Sequence, residues 1–455
     1  MSMEERKLKR EGGLLIIFIF LAGLISGCAN YTIPGNESGK IVANSCEGCH
    51  TDYERLIDVH DPDTTPPPSG CGGTAPEYQP YDRVFLGGSG YEEFKSSAHY
   101  GIGCTNCHGG LGDTGDKYKA HSGDWNPAPS IYYEEKCGMC HEGITENFAS
   151  SLHNGIGQKR KVTMRSGLSG PGDFDQLPAH QIAGYNDKCA QCHGTCGNCH
   201  VVRPIPGGGG LSKGHKFTKT PDMINGCVVC HSSRGGHAYL GVAPGTEPDL
   251  HLEKAGYDCL NCHDGHELHG TGEPVQQRYA YTELPQCEQC HSNQEKSNSY
   301  HTTHFDDFNC QVCHSQDYNN CGACHIKDGH AEYPAYLDFK IAMNPIKDVK
   351  DQYEIALVRR TLAHPDNWTG YDEEFAYTHF DLFPTYNYTT PHNILRWTER
   401  TSQTGSCSQN CHIRKEGDSL INKGLYLFKS DLLDWEISAT GSITMDDQLP
   451  SNWFN

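Results

Sequence analysis

Ten segments of the chain carry two cysteines three residues apart, each followed at once by a histidine. This C-x-x-C-H spacing is the signature of covalent c-type haem attachment. Both thiols form thioethers with one haem, and the histidine binds its iron. The pattern uses twenty of the 24 cysteines, and a disulfide framework, the usual reason for many cysteines in an exported chain, would not need the histidines. The ten motifs are Cys46, Cys49 and His50; Cys104, Cys107 and His108; Cys137, Cys140 and His141; Cys189, Cys192 and His193; Cys196, Cys199 and His200; Cys227, Cys230 and His231; Cys259, Cys262 and His263; Cys287, Cys290 and His291; Cys310, Cys313 and His314; and Cys321, Cys324 and His325.

A variant of the motif with one extra residue occurs near the C-terminus. Cys407, Cys411 and His412 form C-x-x-x-C-H, in which a looped-out residue still lets both thiols reach one haem. The alternative is a local disulfide beside a chance histidine. We therefore expect eleven covalently attached c-type haems, with Cys28 and Cys71 left over.

The fourth and fifth motifs are the most closely spaced pair, because only Gly194 and Thr195 separate them. At about 3.3–3.6 Å per residue, the path from His193 to His200 spans roughly 25 Å at most. Two haems on so short a segment must be neighbours. The spacing favours a conducting chain of haems.

The second axial ligand of each iron decides between an electron carrier and an enzyme with an open site. Of the 27 histidines, eleven end motifs and sixteen lie elsewhere, which is more than enough for a second histidine on every iron. His301 and His304 share one helical face and could serve two haems. We expect His364, His379 and His392 to serve the C-terminal haem. The candidate distal ligands are His99, His153, His180, His215, His237, His251, His269, His301, His304, His330 and His392.

The N-terminus resembles a bacterial lipoprotein signal. A basic segment precedes the apolar run from Leu14 to Ile25, which is too short to span a bilayer. Ser26, Gly27 and Cys28 then resemble a lipobox, whose cysteine is lipidated; an ordinary signal peptide is the alternative. Ala29 resembles the outer-membrane sorting pattern. We expect an exported outer-membrane lipoprotein on the periplasmic or cell-surface side.

The motif density predicts the organisation of the rest of the chain. We expect a mostly irregular and α-helical fold, cored by haems, with short helices, long loops, little sheet and a small C-terminal β element. Hydrophobic residues are only 36% of the chain, which would make a thin apolar core. The expected segments are a signal peptide (1–27), a lipid tether (28–45), an N-terminal haem segment with a Pro-rich linker (46–103), a dense nine-haem region (104–335), a helical segment with the last haem (336–412) and a haem-free appendage (413–455).

Local patterns predict three helices, one β element and one hinge. A helix from Asp249 to Ala255 should end at Gly256, because Asp is a good N-cap and Gly a good terminator. Further helices are expected over 351–363 and from Pro391 to about Arg400. The β element is expected over 425–428 and 435–445, and the hinge at 207–210.

The formal net charge of −21 excludes nucleic acid as a partner, since no basic face remains to neutralise phosphates. Other redox proteins and extracellular electron acceptors fit better. The membrane would be reached through the lipid anchor, and a homo-oligomer or filament is compatible with the haem-dense design.

These motifs, together with the lipobox, resemble the multihaem c-type cytochromes, in particular the decahaem and undecahaem outer-membrane surface lipoproteins used in extracellular electron transfer. His99 and His153 follow Ser-Ser-Ala and Ser-Ser-Leu, which resemble distal-ligand segments of such cytochromes. The resemblance implies closely spaced bis-histidine haems that carry electrons without catalysis. The chain departs from these lipoproteins in that haems two to ten are nearly contiguous. The alternative is a resemblance to multihaem reductases of nitrite, hydroxylamine or tetrathionate, which need one open or non-histidine-capped haem.

Overall fold

Short helices are the main secondary structure of the protein, and the motif spacing explains why. The computed structural model describes residues 41–63, 77–188, 190–192, 194–232, 235–273, 278–281, 284–318, 339–360, 379, 384–401 and 406–454. Helical residues make up 46% and strand residues 8%, which confirms the expected helix-rich fold with little sheet. Cys28, Cys71, Cys189, His193, Cys321, Cys324, His325, His330 and His364 lie outside the described residues.

The α-helices are mostly one or two turns long. They are α1 (Cys46–His50), α2 (Tyr53–Val59), α3 (Pro80–Val84), α4 (Ser89–Lys95), α5 (Cys104–His108), α6 (Lys117–Ala120), α7 (Tyr133–Lys136), α8 (Gly138–Phe148), α9 (Ile156–Arg165), α10 (Ala179–Lys188), α11 (Cys196–His200), α12 (Val229–His231), α13 (Gly236–Tyr239), α14 (Leu250–Ala255), α15 (Gly265–His269), α16 (Ser299–His304), α17 (Gln311–His314), α18 (Cys407–Cys411) and α19 (Ile437–Thr440).

Each motif that lies wholly within the described ranges occupies about one helical turn, which places its cysteines on one face. In α1 the turn begins at Ser45, whose Oγ accepts a hydrogen bond from Gly48 N at 3.0 Å. The motif of Cys259 begins a 3₁₀ turn in the same way, with Asp258 as its N-cap. Helices this short are marginal alone, so their stability must come from what the motif residues bind or contact.

The predicted helix after Asp249 is confirmed. The Asp249 carboxylate caps α14 by accepting a hydrogen bond from His251 N at 2.7 Å. Gly256 ends the helix in the left-handed conformation, with φ of 68°. Asp249 and Gly256 therefore start and end this helix as the sequence predicts.

The chain divides into two compact units. Unit 1 contains residues 1–62, 80–146 and 213–217, and unit 2 contains residues 63–79, 147–212 and 218–455. In unit 1, the short segment 213–217 packs against α4, where a Cβ on Gly90 would lie 1.7 Å from Lys213 O. Only glycine allows this approach. The segment carries His215 to the helices of unit 1.

Unit 2 contains a three-stranded antiparallel sheet where the sequence predicts a helix over 351–363. The strands are β1 (Phe339–Met343), β2 (Ile355–Arg360) and β3 (Tyr386–Tyr388), in the order β1-β2-β3. Ala356, Leu357 and Val358 of the central strand are buried. Four consecutive apolar residues fit a strand covered on both faces as well as a helix, and pairing with two neighbouring strands decides between them. The helix prediction was therefore wrong.

The helix predicted from Pro391 to Arg400 is also absent; residues 391–400 are described and are extended or bent. Ile394 exchanges backbone hydrogen bonds with other segments instead: its carbonyl accepts from Leu250 N, and it bridges Ser315. Leu395 N donates to His314 O at 2.8 Å. Hydrogen bonds to two distant segments thus replace those of a helix.

Residues 413–454 pack on the sheet of unit 2. Leu427 N donates to Ile341 O at 3.0 Å, and Met445 N donates to Leu427 O at 2.7 Å. The β structure here is a hairpin of β4 (Arg414–Glu416) and β5 (Ser419–Ile421), whereas 3₁₀ turns and α19 occupy much of the segments predicted as β. The β element was therefore expected at the wrong residues.

The glycine-rich segment at 207–210 forms a hydrogen-bonded turn. Gly208, Gly209 and Gly210 all have positive φ, and Arg203 N donates to Gly210 O at 2.7 Å. None of the helices in the described ranges has the length and apolar character needed to cross a membrane.

Candidate functional site

Each of the nine motif histidines in the described ranges faces a second histidine from outside the motifs. The two rings lie about 6 Å apart in every case, and both members of each pair belong to the same unit. The pairs and their ring-centroid distances are His50–His121 (6.0 Å), His99–His141 (6.1 Å), His108–His215 (6.0 Å), His153–His231 (6.2 Å), His200–His269 (6.0 Å), His251–His291 (5.9 Å), His263–His392 (6.0 Å), His301–His314 (6.0 Å) and His304–His412 (6.1 Å).

The distance is constant while the angle between the rings varies widely. Interplanar angles run from 19° for His99–His141 to 86° for His304–His412. Contacts governed by aromatic quadrupoles would spread in distance, as do the other ring pairs of this chain, from 3.9 Å for His99–Phe217 to 6.4 Å for Tyr91–Phe94. Two nitrogens bonded to opposite sides of one metal, at about 2.0 Å each, fix the distance and leave the rotation free. The pairs therefore have the geometry of trans ligands.

Hydrogen bonds at Nδ1 leave Nε2 available in several of these rings. Nδ1–H donates to Val84 O from His50 at 3.1 Å, and to Asn126 O from His108 at 2.9 Å. His200 donates in the same way to Thr218 O at 2.6 Å. A carbonyl oxygen only accepts, so the proton is on Nδ1 and the lone pair is on Nε2. Metal-binding histidines usually have this outer hydrogen bond.

Burial keeps most of these imidazoles neutral, which is the form that binds metals. Desolvation lowers the pKa of His215 and of His392 to about 4. The same cause lowers the pKa values of His50, His99, His121, His153, His269, His304, His314 and His412.

In two of the rings the acceptor of the Nδ1 proton is a carboxylate. His263 donates to Glu267 Oε2 at 2.7 Å, which raises the pKa of His263. His251 donates to Asp249 Oδ1 at 2.8 Å.

Aromatic side chains cover several of the paired rings. Phe217 stacks on His99 with centroids 3.9 Å apart and planes 4° apart. Trp453 stacks on His412 at 4.4 Å. These contacts fix the orientation of the imidazoles and exclude water from one side of them.

Thiols of successive motifs lie close together within each unit. In unit 1, the thiols of Cys46 and Cys104 interact electrostatically, as do those of Cys107 and Cys137. Three motifs are therefore neighbours in the order in which they occur in the sequence.

Unit 2 continues the same arrangement over more motifs. Electrostatic interactions between thiols link Cys192 to Cys230, Cys227 to Cys259, and Cys287 to Cys310. Electrostatic interactions add Cys199 to Cys227, and Cys262 to Cys290. The motif that ends at His231 thus contacts both motifs of the double segment and also the next one along the chain.

The segment 213–217 positions its histidine by backbone geometry. Gly214 and His215 both have positive φ, 57° and 68°, so the chain turns sharply there. The turn directs the His215 ring to His108, although three other motifs lie between them in the sequence.

Helix α16 contributes to two sites at once. His301 faces His314 while His304 faces His412, as the i, i+3 spacing predicts. His392 was expected at the C-terminal haem, but its ring faces His263 instead. That prediction fails because sequence proximity to Cys407 does not set the path of the chain, which runs beside α14 at Ile394.

Eight of the eleven candidate distal histidines face a motif histidine: His99, His153, His215, His251, His269, His301, His304 and His392. His180 and His237 lie on α10 and α13, and His330 is outside the described residues. His121 also faces a motif histidine, although it is not among the candidate distal ligands. It follows its nearest motif histidine, His108, by thirteen residues. The sequence feature that could have singled out His121 is the short helix α6 before it, which Asp116 caps.

Comparisons with protein-family models, with curated proteins and with solved structures find no match to this chain.

Proposed function

We propose that this chain is a multihaem electron-transfer protein with eleven c-type haems, each iron held between a motif histidine and a second histidine. The observation that carries the proposal is the set of nine histidine pairs, each joining one motif histidine to one other histidine at 5.9–6.2 Å. A chance set of histidine contacts would also join motif histidines to each other. The donor set of two thiols and two trans imidazoles per site fits haem c.

Haem iron supplies reversible one-electron transfer, and the protein residues determine where the electrons can go. The motif thiols would tether each haem, and the paired imidazoles would be the two histidine ligands of its iron. Close thiols from successive motifs, such as Cys46 and Cys104 or Cys227 and Cys259, would bring the edges of neighbouring macrocycles together. Electrons could then pass along the motifs within each unit.

Two filled axial positions favour an electron carrier over a reductase. A reductase needs an iron with an open or displaceable position, and every motif histidine in the described ranges has an opposing histidine. We propose that the chain acts without substrate chemistry of its own.

The N-terminal sequence supports a site of action in the cell envelope. We propose lipidation at Cys28 and an outer-membrane location, with the acidic chain exchanging electrons with redox proteins or extracellular acceptors. Association with further copies, as a homo-oligomer or filament, fits the haem-dense design.

Paramagnetic resonance of the oxidised holoprotein tests the proposal. We expect low-spin signals that account for all the iron, and full reversible reduction in an optical titration. A stoichiometric high-spin signal that responds to nitrite or hydroxylamine would overturn it in favour of a reductase.

A further inference from the structure

The outer hydrogen bonds of the paired histidines fall into two chemical classes. Several of the described rings donate from Nδ1 to uncharged acceptors, among them His50, His108, His200, His301 and His314. His251 and His263 donate to carboxylates instead. His263 ends one motif of unit 2, and His251 faces the histidine that ends the next motif.

The Asp249 carboxylate is held in place by three hydrogen bonds. Its Oδ1 accepts from His251 Nδ1 and from His251 N, and its Oδ2 accepts from Ile394 N at 2.6 Å. The side chain is only 2% exposed. A buried charge with this many fixed donors has little freedom to turn away from the ring.

Glu267 is positioned by one turn of helix α15. It lies four residues after His263, and both of its oxygens are near Nδ1, at 2.7 and 3.0 Å. Its side chain is 11% exposed. Asp264 Oδ1 accepts from Glu267 N at 2.9 Å, which starts the turn that brings the carboxylate back to the ring.

The two carboxylate-bound rings belong to adjacent sites. His263 ends one motif, and His251 faces His291, which ends the next. The Cys262 thiol interacts electrostatically with Cys290 and Cys287. The two sites would therefore be consecutive along unit 2.

We propose that Asp249 and Glu267 are positioning residues that give these two consecutive haems the lowest reduction potentials among the described sites of unit 2. The inference rests on the proposed function, since it requires haem at both sites. A carboxylate on Nδ1 makes the imidazole more basic and places negative charge near the iron, which favours the oxidised, more positive state. Burial strengthens the effect, because the charge interaction is less screened. These two haems would then have lower potentials than the haems before and after them in unit 2.

Replacing Glu267 by Gln in the full-length holoprotein tests the inference. The amide keeps an acceptor oxygen but removes the charge. Outer-shell partners change metal affinity by about 10–100-fold, and a tenfold change in a one-electron equilibrium corresponds to about 59 mV. We expect one haem to leave the low-potential end of a spectroelectrochemical titration and move upward by at least this tenfold step. D249N should move a second haem in the same direction.

Glu253→Gln is the matched control. Glu253 lies on α14 two residues from His251, is exposed, and pairs with Lys254 rather than with a ring. E253Q should leave the titration unchanged. If E267Q and E253Q give the same curve, or if E267Q shifts a haem downward, the inference is wrong.

The result separates this inference from the proposed function. If no covalent haem is present, or if high-spin iron dominates, the proposed function fails before any variant is compared. If all haems titrate as low-spin centres but E267Q has no effect, only the role of the carboxylates is lost. Unchanged haem content by mass in each variant shows that a shift in potential does not come from a missing haem.

Discussion

Helix α16 provides a sharp test of the ligand assignment, because adjacent turns of one short helix face two different motif histidines. His301 lies 6.0 Å from His314, and His304 lies 6.1 Å from His412. Replacing His304 by Ala removes one imidazole, and an iron held at His412, as proposed, would keep only one histidine ligand. Such an iron becomes high-spin when water or nothing occupies the open position.

The size of the effect follows from the number of motifs. With eleven haems, H304A should convert about one eleventh of the iron to high spin, as measured by spin quantification of the oxidised protein. H301A should convert the same fraction by opening a different site. The double variant should convert twice that amount, because the two histidines serve separate irons.

Two controls keep the result specific. T302A and T303A remove hydroxyls that donate to Asn298 O and Ser299 O on the same helix; both variants should stay fully low-spin. Haem content by intact mass should be unchanged throughout. If the double variant gave no more high-spin iron than either single variant, the two histidines would serve one iron and our assignment would be wrong.

Three further predictions concern the haem count, the anchor and the fold. Intact mass of the mature holoprotein should show eleven haems, and C407S should lower the mass by about one haem; ten haems in the unaltered protein would remove the Cys407–His412 site. Replacing Cys28 by Ser should release the protein from membranes into the soluble fraction, and unchanged membrane retention would contradict lipidation there. E436Q should lower the free energy of unfolding by about 3–5 kcal/mol, because it leaves the Arg360 guanidinium without its buried charge partner. Denaturant unfolding measures this change, and E354Q, which breaks the exposed pair with Lys347, should cost no more than about 1 kcal/mol; equal losses in the two variants would contradict the role of burial.

The positions of the motif helices could be predicted from the sequence because their signals are local. Cysteines three residues apart fit one helical turn, and Asp249 and Gly256 mark a helix start and end through hydrogen bonds within a few residues. Eight of the nine histidines that face a motif histidine were among the eleven candidates drawn from the sequence.

The pairing of histidines could not be predicted, because it depends on how distant segments meet. His215 reaches His108 only through a close backbone approach that Gly90 permits, and His392 reaches His263 because Ile394 bonds to Asp249 and Leu250. The sheet of β1, β2 and β3 could not be predicted either, because it too depends on contacts between segments distant in the sequence. The apolar run in β2 is compatible with helix or strand until its neighbours in space are known.

The distance along the chain between paired histidines has a consequence for how the protein is made. If the chain is exported from its N-terminus, as proposed, the pair of His108 and His215 cannot form until His215 has emerged, after three more motifs. His121 emerges much sooner and could occupy the His108 iron in the meantime, although it finally faces His50. Reaching the native pairing would then require one axial ligand to replace another. The slow step of maturation is therefore expected to be ligand exchange at iron, and a weak competing ligand such as free imidazole should speed it up.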